Sequence, residues 1–258
     1  MKKEVVKVWI KRIAWLAVYA GVLVVWFHAV QRKSSTKVET VKVVITTSDG
    51  SRPLIGVTDV IKYVNRILDK DIESQLIGNL DALKIETALD SSSYIKNADV
   101  YLEANGKAVI HCDLRVPIVR FERGYRKGFY LDEAGNIIPV SNRAAARVPI
   151  ANGYLGNFNQ EFMADTTNRY RLVYDLAKKV YDDDFLKALI EQIYVENNGK
   201  VIMVPKVGRE KIRFGELAKI DNKFDKLKAF YKTGMPNLGW NRYSYLNLEW
   251  EDLVVGEK

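Results

Sequence analysis

The sequence predicts an α+β chain in three parts: an apolar N-terminal stretch long enough for a transmembrane helix, a β-α-α-β-β unit, and a mostly antiparallel β domain with flanking helices. Three observations carry this reading. Ile13 to Val30 contains no formal charge, close to the ~20 residues that cross a hydrocarbon core. From Val38 to Pro117, period-two apolar runs bracket two segments of helical spacing. After Pro117, short apolar runs separated by Gly and Asn turns predominate. With 258 residues, 48% apolar and 28% charged, the chain can bury the core of one large domain or two small ones.

The N-terminus explains the charge. Residues 1–37 hold Lys2, Lys3, Lys7, Lys11, Arg12, Arg32, Lys33 and Lys37 against Glu4 alone, so they carry +7 of the chain's +8. The remaining +1 implies no broad basic surface for phosphates, and no nucleic-acid partner is expected. Trp9, Trp15 and Trp26 lie near the two expected interfaces with membrane lipid. A cleaved signal peptide is the competing reading, with a usual apolar core of about 7–15 residues ending in a small-x-small site. Phe27-His28-Ala29 makes a poor site, and Val18-Tyr19-Ala20 falls inside the run. A basic cytoplasmic tail over 1–12, a retained transmembrane helix over 13–30 and a linker over 31–37 are therefore expected. The excess of basic residues before the span places the later domains outside the cytoplasm.

In the domain expected over 38–117, Val41, Val43 and Ile45 predict a strand. "VTDVIKYVNRILD" follows with Val60, Ile61, Val64, Ile67 and Leu68 at helical spacing and Thr58 as the expected N-cap. A second helix is expected from about Asp81 to Leu89. A strand from Ala98 to Leu102, a turn at Asn105-Gly106 and a strand through Cys112 complete a three-stranded sheet covered by helices on one face. Cys112 alternates with its neighbours as Ile110, Leu114 and Val116 do, and reads as core. It is the sole cysteine, so no internal disulfide is available. A Cys112–His111 nucleophile pair fails because successive strand side chains point to opposite faces.

In the domain expected over 118–258, "GFYLDEAGNIIPVS" predicts a hairpin about Gly135-Asn136. Leu172, Val173, Leu176, Ala177 and Val180 form one helical stripe; Phe185, Leu186, Leu189, Ile190 and Ile193 lead from a second helix into a strand. The run Asp182-Asp183-Asp184 is expected to cap that second helix rather than hold a cation. "QIYVENNGKVIMVP" and "EKIRFGE" predict strands. "DNKFDKLKAFYKTG" predicts a helix capped by Asp221 and stopped at Gly234. Finally "YSYLNLEWEDLVVGEK" predicts a strand from Leu246 to Trp250, a turn at Glu251-Asp252 and a last strand from Leu253 to Gly256 with an uncovered outer edge.

Constellations for catalysis are thin. Of two histidines, His28 falls in the expected span, leaving His111 alone for a triad or metal site. No glycine-rich phosphate loop is present. No catalytic residue, metal or cofactor is therefore expected, and the prediction is a binding role rather than an enzyme.

Together these features resemble the FtsQ/DivIB family of bacterial cell-division proteins over nearly the whole chain. The marks are Arg115-Val116-Pro117-Ile118 at the domain junction, Tyr130-Leu131-Asp132-Glu133 with Gly135 before Ile138-Pro139, and Ile212-Arg213-Phe214-Gly215 followed by the Lys223-Phe224 to Leu227 helix. Val204-Pro205 with Val207-Gly208 and "YKTGMPNLGWNRYSYLNL" are similar to the Bacteroidetes version. Leu114 stands where the family usually has Glu, and Asn247 and Glu249 where it usually has Asp and Arg, so its ion pairs there are not carried over.

The resemblance implies that 38–117 is a POTRA-like domain, and that the protein is a non-enzymatic divisome scaffold in the inner membrane at the septum. It implies binding of an FtsB/FtsL-type coiled-coil pair through the C-terminal edge, and of other divisome proteins through the POTRA-like domain and span. Residues expected at the partner-binding edge are Tyr243, Tyr245, Asn247, Glu249, Trp250, Glu251, Leu253, Val254, Val255 and Gly256. The alternative is a POTRA-bearing component of protein export or outer-membrane assembly, and a third reading is a cell-envelope enzyme. Export proteins of that kind normally carry repeats or a barrel, neither of which is visible here.

Overall fold

A computed structural model describes residues 9, 12, 14–27, 36–103, 105–124, 126–159, 161–240, 242–251 and 253–258. The described chain is mixed α+β and divides into two compact units, one drawn from Met1–Thr46 and Ile55–Leu114, the other from Thr47–Leu54 and Arg115–Lys258.

Residues 14–27 are helical and exposed, about 21 Å long at 1.5 Å per residue. Among the described residues no helix is long and apolar enough to cross a membrane. Both ends of the expected 13–30 span, Ile13 and residues 28–30, lie outside the described residues, as does most of the expected 31–37 linker.

The first unit contains β1 (Thr40–Thr47), α1 (Val57–Leu68), α2 (Ala82–Asp90), β2 (Ile95–Leu102) and β3 (Lys107–Leu114), with sheet order β1-β3-β2. The N-cap of α1 is Gly56 rather than the expected Thr58: the Asp59 carboxylate accepts from the Gly56 amide at 2.8 Å, placing Thr58 inside the first turn. Asp81 caps α2 by accepting from the Lys84 amide at 3.1 Å. One α2 helix face supplies Ile85 and Leu89 to a core with Val60, Val64, Ile110 and Cys112. Its acidic side chains also close the edge of β2, since Glu86 and Asp90 each accept an amide of that strand, from Val100 and Ala98, at 2.7 Å. Those carboxylates occupy positions that an intruding strand would otherwise take.

The second unit is built on a nine-stranded sheet. Its strands are β4 (Pro117–Arg123), β5 (Arg126–Asp132), β6 (Ile137–Pro139), β7 (Ile150–Gly153), β8 (Ile190–Val195), β9 (Val201–Pro205), β10 (Lys211–Gly215), β11 (Tyr245–Asn247) and β12 (Val255–Glu257). They run in the order β12-β11-β10-β9-β8-β7-β4-β5-β6. Two of them, β4 and β7, have no counterpart in the sequence expectation. Pairing is mostly antiparallel, but β7 is parallel to both β4 and β8, and β11 is parallel to β10.

Helices α3 (Arg169–Tyr181), α4 (Asp184–Leu189) and α5 (Ile220–Ala229) pack Val173, Leu176, Leu186, Phe224 and Leu227 into one core with Ile118, Ile193, Ile212 and Leu246. Within the acidic run, Asp183 caps α4, accepting from the Phe185 and Leu186 amides at 3.0 Å. The α5 expectation needs two corrections. Lys219, in a left-handed conformation, is the N-cap, while Asp221 sits in the first turn and pairs with Lys179. The helix also continues past Gly234 through a π-helical turn (Phe230–Gly234) into α6 (Met235–Leu238), ending at Gly239 with φ +93°. Glycine tolerates a helical interior at modest cost, whereas the positive φ at Gly239 favours it.

Candidate partner-binding edge

The last three strands bring together parts of the chain far apart in sequence. β10 pairs with β11 from Lys211↔Tyr245 to Arg213↔Asn247, and β11 pairs with β12 from Tyr245↔Glu257 to Asn247↔Val255. Strand alternation then assigns the faces. Ile212 and Leu246 point inward and are fully buried. Arg213, Tyr245, Asn247 and Glu257 share the other face. There the Arg213 guanidinium lies 4.3 Å from the Tyr245 ring centroid and bonds the Glu257 carboxylate at 2.7 Å, and the Asn247 amide donates to Glu257 at 3.1 Å.

β12 ends the sheet order, and no strand of the described residues pairs with its outer side. Gly256 faces the core side, where an added Cβ would collide with the Tyr243 ring. Tyr243 thus lies against the backbone of the last strand.

The terminal strands are shorter than expected. Leu248 is buried, but it lies beyond β11, and Trp250 breaks the apparent alternation by being 61% exposed. β12 begins at Val255, so Leu253 and Val254 precede it; Asp252 lies outside the described residues. Leu253, two residues before β12, is 65% exposed. Val254 and Val255 are half-buried.

Glu249 and Glu251 line a cleft of about 460 Å³ with Lys200, Lys219, Lys223 and Lys226. Lys200 bonds Glu249 at 2.6 Å, which raises the lysine's pKa. Lys219 bonds Glu251 and holds its carboxyl below the usual range. Lys226 donates to the Trp250 and Glu251 carbonyls, fixing the exposed loop between the last two strands. Lys223 donates to the carbonyls of Phe214 at 2.8 Å and Glu216 at 2.7 Å, and burial draws its pKa down.

The ten expected residues all lie in or beside this C-terminal region, Glu257 was expected only as a flanking charge, and Arg213 and the four lysines were given no part in it. Arg213 lay in a quoted motif without an assigned role, and nothing local links it to Glu257.

Of the other singled-out residues, His28 lies outside the described residues, the 182–184 run lies in the second unit, and Cys112 and His111 lie in the first. Cys112 is buried and free. His111 is exposed on β3, edge-on to Tyr101 with centroids 5.8 Å apart. Among the described residues, no cluster of His, Cys, Asp or Glu is arranged to hold a metal ion.

This edge presents backbone amides and carbonyls flanked by apolar side chains, which suits it to strand addition. The family model for FtsQ/DivIB, C-terminal related, matches residues 116–257. No curated protein matches the sequence.

Proposed function

The chain belongs to the FtsQ/DivIB family of cell-division proteins, and from that membership we propose that it acts as a non-enzymatic divisome scaffold whose C-terminal edge captures an FtsB/FtsL-type partner. The observation that carries this reading is the position of β12, the outermost strand of a nine-stranded sheet. A partner strand added there gains backbone hydrogen bonds, while Trp250 and Leu253 offer apolar contacts that give selectivity. Residues 13–30 serve as the membrane anchor in this reading, with the N-terminus cytoplasmic, both folded units periplasmic and the protein concentrated at the septum. The first unit, as a POTRA-like domain, then serves recruitment of other divisome proteins.

Val254→Pro tests the edge. It removes a backbone donor beside β12 and restricts the residue before it. Capture of the FtsB-type partner is expected to fall sharply while the membrane level of the protein is maintained. Normal capture by a well-folded Val254→Pro protein would rule out this edge as the docking site. Depletion tests the wider role: filamentous cells of normal envelope composition support division, whereas an altered envelope without filaments supports export.

A further inference from the structure

A second cleft, beside β4, has the features of a small-ligand site. Arg123 at the end of β4 lays its guanidinium against Phe158, 4.9 Å from the ring centroid, and Phe129, at 5.5 Å. Phe158 in turn contacts Phe129 at 4.8 Å and Tyr170 at 5.3 Å. Aromatic faces hold the cation in place without using the donors in its plane. Arg123 Nε is buried with no hydrogen-bond partner among the described residues, and the bond from Nη2 to the Lys127 carbonyl is long, at 3.3 Å. Burying Nε without a partner is costly unless something else completes it.

The cleft in front of this group measures about 510 Å³ and is bordered by Gly124, Asn152, Gly153, residues 155–158 and Tyr170. That volume suits a small ligand. Tyr170, which lines this cleft, is only 2% exposed. Burial pushes the Tyr170 hydroxyl's pKa up, and the Arg123 charge draws it down. Asn152 accepts from Gln192 at 2.9 Å through its carbonyl oxygen, leaving its amino group as a donor.

We propose that this cleft binds a carboxylate attached to an apolar body, with Arg123 and Tyr170 receiving the carboxylate and Phe158 and Leu155 the body. One guanidinium matches the single charge and planar fork of a carboxylate. A phosphate dianion would bring a second charge toward Glu122, which borders the cleft and already engages Arg120 at 3.4 Å. The chemistry is the same whether the carboxylate belongs to a small acid, a peptide C-terminus or an acidic side chain. This inference stands independently of the C-terminal edge.

Calorimetric titration of the full chain in detergent micelles tests it. The probes are N-acetylphenylalanine, its amide, inorganic phosphate, a peptide with a free C-terminus and no acidic side chain, and an amidated peptide containing glutamate. N-acetylphenylalanine is expected to bind, and the amide and phosphate to fail. Whichever peptide binds identifies the source. Arg123→Gln should weaken binding about tenfold or more; Tyr170→Phe, which keeps the ring and so the packing, should weaken it several-fold. Equal binding of acid and amide, preference for phosphate, failure of every carboxylate, or unchanged affinity in Tyr170→Phe would each overturn the proposal.

Discussion

Arg213 and Glu257, on strands separated by β11, bond at 2.7 Å and bridge three strands with one contact. Their side chains remain 42% and 34% exposed, so water screens the pair. In urea denaturation, a double-mutant cycle on Arg213→Ala and Glu257→Ala is expected to give a coupling of about 0.5–1 kcal/mol. Coupling well above that would mean that the bridge is a principal support of the terminal hairpin.

Asp132 should be far more sensitive. It is 6% exposed, bonds Arg115 at 2.9 Å, and accepts from the Ala134 and Asn136 amides at 3.0 and 2.8 Å. Asp132→Ala leaves Arg115 and two amides without this acceptor, and a loss of about 3 kcal/mol is expected in chemical denaturation. Asp132→Asn, which keeps an acceptor oxygen, should lose less.

Cys112 links stability to alkaline pH. Burial raises its thiol from 9.0 to about 11, with Asp113 and Asp90 adding to the shift. The folded state therefore holds the proton more tightly. Its stabilisation is complete below pH 9 and is lost as pH rises from 9 toward 11. Unfolding curves for wild type and Cys112→Ser should converge across that interval, and near neutral pH the native thiol should resist maleimide.

Asp183 behaves in the opposite direction. A hydrogen bond from Lys228, followed by the Leu186 amide, holds its carboxyl below 3.8. Its contribution is present above that value and fades as pH falls through the folded pKa. Asp183→Ala should cost about 1 kcal/mol as a lost cap, and a thermal melt at neutral pH checks it. The cost should shrink in acid.

Elements with one buried face were legible in the sequence. The stripes of α1 and α3 and the alternation through Cys112 each follow from a periodic division between core and solvent. β4 was not, because Pro117, Ile118 and Val119 are all buried and leave no alternation to read. β7 is a four-residue strand ending in Asn-Gly, held by parallel neighbours on both sides. At the C-terminal edge the residues were legible as a region, but Trp250 was misplaced because its alternation extends past the end of β11. The Arg123 cleft had no sequence signal, as it forms where β4 meets a loop some 30 residues later.

The parallel pairings have a consequence for how the sheet opens. β4-β5-β6 and β8-β9-β10 are ladders of sequence neighbours, and β11 pairs with β12 after a short connection, whereas β11 joins β10 only after a long helical excursion. The terminal hairpin is therefore expected to open as a unit. Amide hydrogen exchange should show β11 and β12 losing protection together and ahead of β8 and β9. A partner seated on β12 would slow that exchange by trapping the closed form, without any rearrangement elsewhere in the sheet.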